Sequence, residues 1–402
     1  SRVLLHIAST FLLVAAASGA DKKPLFEYDD HYVMLNDFGR NEFYRQSLQQ
    51  TMRHACPAKE CTVLDVGAGS GLLSMQAAFL GAKHVLAMEA NPALATLANQ
   101  TIQRNQWKFP DSNLTVLARL SSTVTLEQLP MAKRADVLVT ETFGTMLLGE
   151  SAINFIPDVR DRLLKKDGLI VPAGGCQYIT LVESPDLASI MSPTTEVGLN
   201  LTRVAYMQDT LYWKGPLGAT SIQMQRLSER LCVLEVDLYT DTRDSIPSNR
   251  TFRLRASQTG IVHAALFDWD VWSDSSRERL LSTSPGSRNF AGDVAWGWLL
   301  QMQEAASADW TRSPDLRRMH VNVGDEIDVL VDYIAGGISL HVRTRHAVVQ
   351  SFPTRPTPSL PRLKGVSRSD TMEANEFYLP VAGDTDRQTF YRQEVADAFE
   401  RL

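Results

Sequence analysis

The residues best suited to chemistry are Glu141 and Glu150. They bracket the run Glu141-Thr-Phe-Gly-Thr-Met-Leu-Leu-Gly-Glu150, which follows the apolar segment Ala135–Thr140. Two carboxylates at the mouth of a largely apolar loop are costly to bury unless a cation lies between them. A guanidinium fits best, because it is planar and presents several N–H donors in a rigid fork. The pair reads as a clamp for such a cation.

A second constellation lies upstream. Asp65-Val66-Gly67-Ala68-Gly69-Ser70-Gly71 ends a strand and opens a helix. The glycines let a ligand approach the backbone, and the helix N-terminus favours negative charge. Glu89 ends the next strand, where a carboxylate accepts hydrogen bonds from ribose hydroxyls. The dinucleotide fingerprint fails, because the sixth position counted from Gly67 is Leu72. Asp65 beside the first glycine suits a cationic amino-acid moiety better than a pyrophosphate. That points to S-adenosylmethionine, whose α-ammonium needs an acceptor and whose carboxylate needs a donor such as Arg40. A turn cap is the alternative role for Asp65.

These residues need a scaffold, and the pattern supplies one. From about 21 to 172, strands alternate with helices: Thr62–Val66, His84–Glu89, Leu114–Ala118, Ala135–Thr140 and Leu169–Val171 as strands, 72–80 and Pro92–Asn105 as helices. This predicts an α/β domain with a doubly wound parallel sheet. Over 173–350, period-2 alternation takes over, as in Cys232–Leu238 and Ile327–Tyr333, and predicts an antiparallel β-barrel or sandwich. The apolar stretch at about 183–217 fits neither pattern and is expected to be a dimerisation arm. Residues 351–402 read as a Pro-rich linker and tail. In that tail, Asp384 to Gln393 echo Asp37 to Gln46, as the start of a second module would.

The 402 residues carry a net charge of −6, with 44% hydrophobic and 21% charged. That balance argues against a nucleic-acid-binding surface and suits a basic partner. Four cysteines are too few and too scattered to predict a disulfide framework, and none has zinc-ligand spacing, so no metal is expected. Residues 1–20 hold an apolar run, Val3 to Ala17, followed by Ser18-Gly19-Ala20. This has the shape of a secretory signal, is too short for a membrane span, and has a buried N-terminal helix as its alternative. Asn-x-Thr triplets stand at Asn99, Asn113, Asn200 and Asn249, but such triplets arise by chance and Asn99 reads as helical, so they do not by themselves favour secretion. The inferred chemistry places the chain in the cytoplasm or nucleus, with secretion the lesser reading.

Over roughly 26–350 these residues resemble the protein arginine methyltransferases. Asp65–Gly71 and Glu89 resemble that family's S-adenosylmethionine loop and ribose-binding acid. Met34-Leu-Asn-Asp-Phe-Gly-Arg40 resembles its N-terminal motif, in which the Met packs at the reacting centre and the Arg binds the cofactor carboxylate. Glu141 and Glu150 match its double-glutamate loop. His31 falls where many members carry a cofactor-facing His, and Ser122 stands where an adenine-facing Glu is usual. His263 resembles a structural barrel His. Leu281-Ser-Thr-Ser-Pro285 with Trp296 resembles the wall of the arginine pocket, although Ala295 replaces the usual His before that Trp.

The resemblance implies a class I methyltransferase Rossmann-like domain, a β-barrel and a homodimer. Its loop wording is most like the monomethylating, type III subclass. Arg-Gly-rich proteins, including histones and RNA-binding proteins, are the implied substrates, with no direct nucleic-acid or membrane partner. A dimethylating enzyme, a small-molecule methyltransferase and a weakly catalytic scaffold are the competing readings.

Overall fold

The computed structural model describes residues 34–56, 60–187, 212–214, 223–287, 296, 299–303, 318–334, 337 and 339–347. Five strands form one parallel sheet: β1 (Thr62–Val66), β2 (His84–Glu89), β3 (Asn113–Ala118), β4 (Ala135–Thr140) and β5 (Leu164–Val171). Their spatial order is β3-β2-β1-β4-β5. The order reverses beside β1, so the C-terminal ends of β1 and β4 open a crevice of the kind that takes ligands in such sheets. All five residues of β1 are buried, as expected of a central parallel strand covered on both faces.

Four helices accompany these strands: α1 (Phe38–Ala55), α2 (Leu72–Phe79), α3 (Pro92–Asn105) and α4 (Ala152–Leu163). The pattern predicts α2 and α3 nearly to the residue. It does not pick out α1 or α4. The buried face of α1 mixes Phe43, Tyr44, Leu48 and Met52 with Arg40, Ser47 and Thr51, so its apolar stripe is diluted. Its start is nonetheless well marked: Asp37 is the N-cap and its carboxylate accepts the Arg40 backbone N–H at 2.9 Å. Likewise Asn91 caps α3, with Pro92 in its first turn.

Beyond Pro172 the chain is antiparallel, as predicted. Strand β6 (Gly174–Glu183) pairs with Ala264–Trp272 along its length, from Gly174 opposite Trp272 to Val182 opposite Ala264. On its other edge it pairs with Leu231–Asp237. Asn249–Arg255, Glu326–Ile334 and Ser339–His346 form a separate three-stranded sheet. A single apolar cluster runs from Phe43 and Val63 through Leu138 to Trp269 and Ile327, so these three sheets share one core. The expected arm at about 183–217 falls mostly outside the described residues. So do His31, Ala295, residues 1–20 and the tail 351–402.

One expectation is corrected. The four cysteines are not scattered in space: Cys56 bonds Cys61, and Cys176 bonds Cys232. The first pair spans the short connection between α1 and β1. The second joins β6 to its neighbour strand, where a register shift between Gln177 and Tyr178 brings residues far apart in sequence side by side.

Candidate active site

The glycine turn leaves β1 just where the crevice opens. The N–H groups of Gly67 and Ala68 donate to the Met88 carbonyl at 2.9 and 3.1 Å, and the Gly69 N–H donates to Glu89 Oε2 at 2.8 Å. Glu89 Oε1 accepts the Asn91 N–H at 2.8 Å. Glu89 therefore ties the turn to the end of β2, and each oxygen keeps a lone pair for a further donor. Gly67 has φ +75, and a Cβ there would lie 2.6 Å from Thr142 Cγ2. The turn thus needs glycine for backbone conformation and for contact with the glutamate loop.

Asp65 is fully buried. One of its oxygens accepts the Ser74 hydroxyl at 2.6 Å, and the other, Oδ1, has no hydrogen-bond partner. Burial pushes its carboxyl up to about 6, assisted by Glu89 and opposed by Ser74. Arg40 carries the complementary vacancy. Its Nη1 donates to Asn41 Oδ1 at 2.9 Å and its Nη2 to Glu141 Oε2, while the buried Nε has no hydrogen-bond acceptor. A buried acceptor and a buried donor beside the same glycine turn match the ammonium and carboxylate of an α-amino acid.

The glutamate loop is built from tight turns. The N–H of Gly149 donates to the Met146 carbonyl at 2.8 Å, and that of Ser151 to the Leu148 carbonyl at 2.9 Å. Gly144 and Gly149 touch backbone to backbone, since a Cβ on Gly144 would lie 3.1 Å from Gly149 Cα. The loop is pinned from behind by the antiparallel strands. Trp269 Nε1 donates to the Gly144 carbonyl at 2.9 Å and Trp296 Nε1 to the Phe143 carbonyl at 2.7 Å. The Thr145 hydroxyl donates to the Trp296 carbonyl at 3.0 Å, and Gln177 Oε1 accepts the Leu147 N–H at 2.8 Å.

Within this frame the Glu141 side chain is buried and holds the Arg40 guanidinium in an ion pair. Burial works against charge on Arg40, but the Glu141 carboxylate outweighs it and holds the guanidinium protonated. The guanidinium carbon lies 5.8 Å from the Tyr44 ring centre and 6.0 Å from that of Trp296. Glu150 is exposed at the other end of the loop. The loop's first carboxylate thus holds the chain's own Arg40 guanidinium beside the Trp296 indole, while the second stands apart from that pair.

The fold therefore gathers Arg40, Asp65, Gly67, Gly69, Glu89, Glu141 and Trp296 around one crevice. Met34 is half-buried just before α1, and its carbonyl accepts the Asp37 N–H at 3.2 Å. Ser122 is exposed on a short 3-10 turn beyond β3, which Arg162 pins through the Ser121 and Val124 carbonyls. His263 is structural, as expected: buried, with Nδ1 accepting the Ser184 N–H at 3.0 Å.

Sequence reasoning did not single out Tyr44, Gln177 or Trp269. The Tyr44 hydroxyl donates to the Thr140 carbonyl at 3.0 Å, and burial keeps its phenol neutral. That bond docks α1, and with it Arg40, against the strand that delivers Glu141. The only sequence signal for it was an aromatic residue one helical turn after Arg40.

A family model for ribosomal protein L11 methyltransferase (PrmA) matches residues 46–177, which span the parallel sheet. Protein arginine N-methyltransferase 7 of Aedes aegypti is 32% identical over 266 residues, covering 63% of this chain and 38% of that protein. Arginine N(omega)-methyltransferase of Streptomyces achromogenes subsp. streptozoticus is 31% identical over 247 residues, covering 60% of this chain and 64% of that protein. The chain thus spans well under half the length of the insect relatives it matches. Among solved structures, the Trypanosoma brucei PRMT1 enzyme-prozyme heterotetrameric complex with AdoHcy aligns with a TM-score of 0.62 at 21% identity. It covers 81% of this chain and 96% of that one.

Proposed function

We propose that this chain is a protein arginine N-methyltransferase, as its similarity to the insect and Streptomyces enzymes supports, and that it transfers a methyl group from S-adenosylmethionine to a guanidinium nitrogen of protein arginine. The observation that carries the reading is the Glu141 carboxylate, which already holds a guanidinium beside a glycine turn with an unmatched buried acceptor and donor. Asp65 Oδ1 would accept from the cofactor's ammonium, Arg40 Nε would donate to its carboxylate, and Glu89 would accept from its ribose. When bound, the cofactor supplies an electrophilic methyl on a sulfonium.

The chain's own groups do the rest. Free guanidinium is a poor nucleophile because its charge is delocalised over three nitrogens. Glu141 and Glu150 would bind two of them, draw the charge away from the third and aim it at the methyl. Glu150 or solvent would take the proton that the guanidinium gives up on methylation. Trp296 walls the pocket. Together with the wording of the loop, this wall supports transfer of a single methyl, the type III outcome, as a finer part of the proposal.

A protein rather than free arginine is favoured by a cleft of about 490 Å³ beside α1, lined among others by Glu42, Asp274, Glu278 and Arg279. Its acidic excess suits an Arg-Gly-rich segment. Action as a homodimer belongs to the same proposal. The test is incubation with labelled S-adenosylmethionine and either an Arg-Gly-rich peptide or free arginine, followed by amino-acid analysis. Monomethylarginine in the peptide is expected. Label only in free arginine would reassign the substrate, and no methylarginine at all would overturn the reading.

Two further outcomes follow from the cofactor side. Gly67→Ala forces a side chain onto Thr142 at a positive φ, and strain of about 1–3 kcal/mol should weaken S-adenosylhomocysteine binding about tenfold or more by calorimetry. Asp65 gives a pH dependence. Its folded value of about 6 lies above the ordinary 3.8, so the free protein binds the extra proton between them and loses stability as pH rises through that window. A cationic ammonium on Oδ1 favours the carboxylate, so S-adenosylhomocysteine should raise the Tm more at about pH 7.5 than at about pH 5. Asp65→Asn should abolish that difference in a thermal-shift titration.

A further inference from the structure

All four cysteines are consumed in the Cys56–Cys61 and Cys176–Cys232 disulfides, and no cysteine is free. Cytosolic thiols are kept reduced, so a chain that closes every cysteine into a structural disulfide is built for an oxidising compartment. The placement is structural in both cases. Cys56 ends α1, the helix that carries Arg40, and Cys61 immediately precedes β1, the strand that carries Asp65. Cys176 and Cys232 join neighbouring strands in the other sheet. Both pairs are almost wholly withdrawn from solvent at Cys56, Cys61 and Cys176.

A separate observation concerns the Asn-x-Thr triplets, which the methyltransferase reading leaves without a role. All three that lie in described residues, at Asn99, Asn113 and Asn249, present the asparagine to solvent. Asn200 lies outside the described residues. Asn99 sits in the middle of α3, whereas Asn113 and Asn249 each open a strand. Both of those strands are sheet edges: β3 borders the parallel sheet, and Asn249–Arg255 borders the three-stranded sheet. An edge strand offers unpaired N–H and C=O groups to other chains, and a bulky solvated glycan at its start would block such pairing.

Asn113 does not obstruct the crevice, by its place in the sheet. Asn113 pairs with His84 at one end of β2, and Ala118 pairs with Glu89 at the other. Five strand steps of about 3.3 Å put Asn113 roughly 16 Å from the cofactor end.

We propose that this chain matures in an oxidising secretory compartment and carries N-linked glycans on Asn113 and Asn249. In the glycosylation step the asparagine Nδ2 bonds C1 of a lipid-pyrophosphate-linked oligosaccharide. The C1–O bond breaks, the lipid pyrophosphate leaves, and the amide loses one proton. Each disulfide forms as two thiols surrender two electrons and two protons to a disulfide-bearing oxidant, which becomes a dithiol. The proposal is argued from the disulfides and the exposed asparagines rather than from methyl transfer, and it replaces the cytoplasmic or nuclear placement expected from that chemistry.

The test uses protein isolated from the cells that make it. Peptide N-glycosidase in heavy-oxygen water should convert Asn113 and Asn249 to aspartates bearing one heavy oxygen, read by peptide mass spectrometry. Alkylation should label no cysteine before reduction and all four after it. In the full chain re-expressed in those cells, Thr115→Ala and Thr251→Ala should each lose the glycan at their own site, and Thr115→Ser and Thr251→Ser should keep it. Methyl transfer should stay within twofold in all four variants. Unmodified Asn113 and Asn249, or four thiols that alkylate without reduction, would overturn the proposal.

Discussion

Glu141→Gln is expected to remove most methyl transfer and to destabilise the protein at the same time. Glu141 Oε2 is the ion-pair partner of Arg40, and both side chains are more than nine-tenths withdrawn from solvent. A neutral amide cannot polarise a substrate guanidinium, so the reaction should slow by about 10²–10³-fold, the range seen when one preorganised charge-stabilising contact is lost. The same change leaves the Arg40 charge buried without its counter-ion, at a cost of about 3–5 kcal/mol.

The two effects separate in companion variants. Arg40→Met with Glu141→Met removes the buried pair altogether, so it should recover most of the lost stability without recovering activity. Glu150→Gln, at an exposed position, should lower activity with little change in stability. Label incorporation into an Arg-Gly-rich peptide and urea denaturation give the two readouts. Wild-type turnover in Glu141→Gln would remove Glu141 from the reaction.

Trp269→Ala should be the most damaging change outside the crevice. Trp269 is fully buried between Phe143, at a ring distance of 5.9 Å, and Trp296, edge-on at 4.8 Å. Truncation empties a large volume that rigid strands cannot refill, at about 3–5 kcal/mol. It also frees the Gly144 carbonyl, and with it the loop that carries both glutamates. Trp269→Phe keeps most of the bulk but leaves that carbonyl unpaired, which costs about 1–3 kcal/mol. Thermal denaturation should therefore rank wild type above Phe above Ala. The kcat should fall in Phe as well, because the loop has lost its peg. A Phe variant with unchanged kcat would show that the loop holds its shape without Trp269.

What could be read from the chain alone follows from where the determining information lies. Thr62–Val66 and His84–Glu89 are short, largely apolar strands with an acid at or next to the C-terminal end, and Pro92–Asn105 has its own cap and proline, so their limits are set within a few residues of sequence. The glycine turn was legible for the same reason. Helices α1 and α4 were not, because the buried face of α1 includes Arg40, Ser47 and Thr51, whose burial depends on partners elsewhere in the chain.

The glutamate loop shows the division most clearly. Its spacing determined that a guanidinium could be held. Only the tertiary structure decided that Glu141 is the buried jaw and Glu150 the exposed one, that Arg40 from α1 reaches the first, and that the indoles of Trp296 and Trp269 peg the loop through Phe143 and Gly144. It also decided the cysteines. Cys176 and Cys232 stand 56 residues apart and become partners only because two strands pair with a shifted register. Local sequence encodes propensity, turns and residue chemistry. Contacts across a hundred residues are chosen by burial in a shared core, which no local pattern contains.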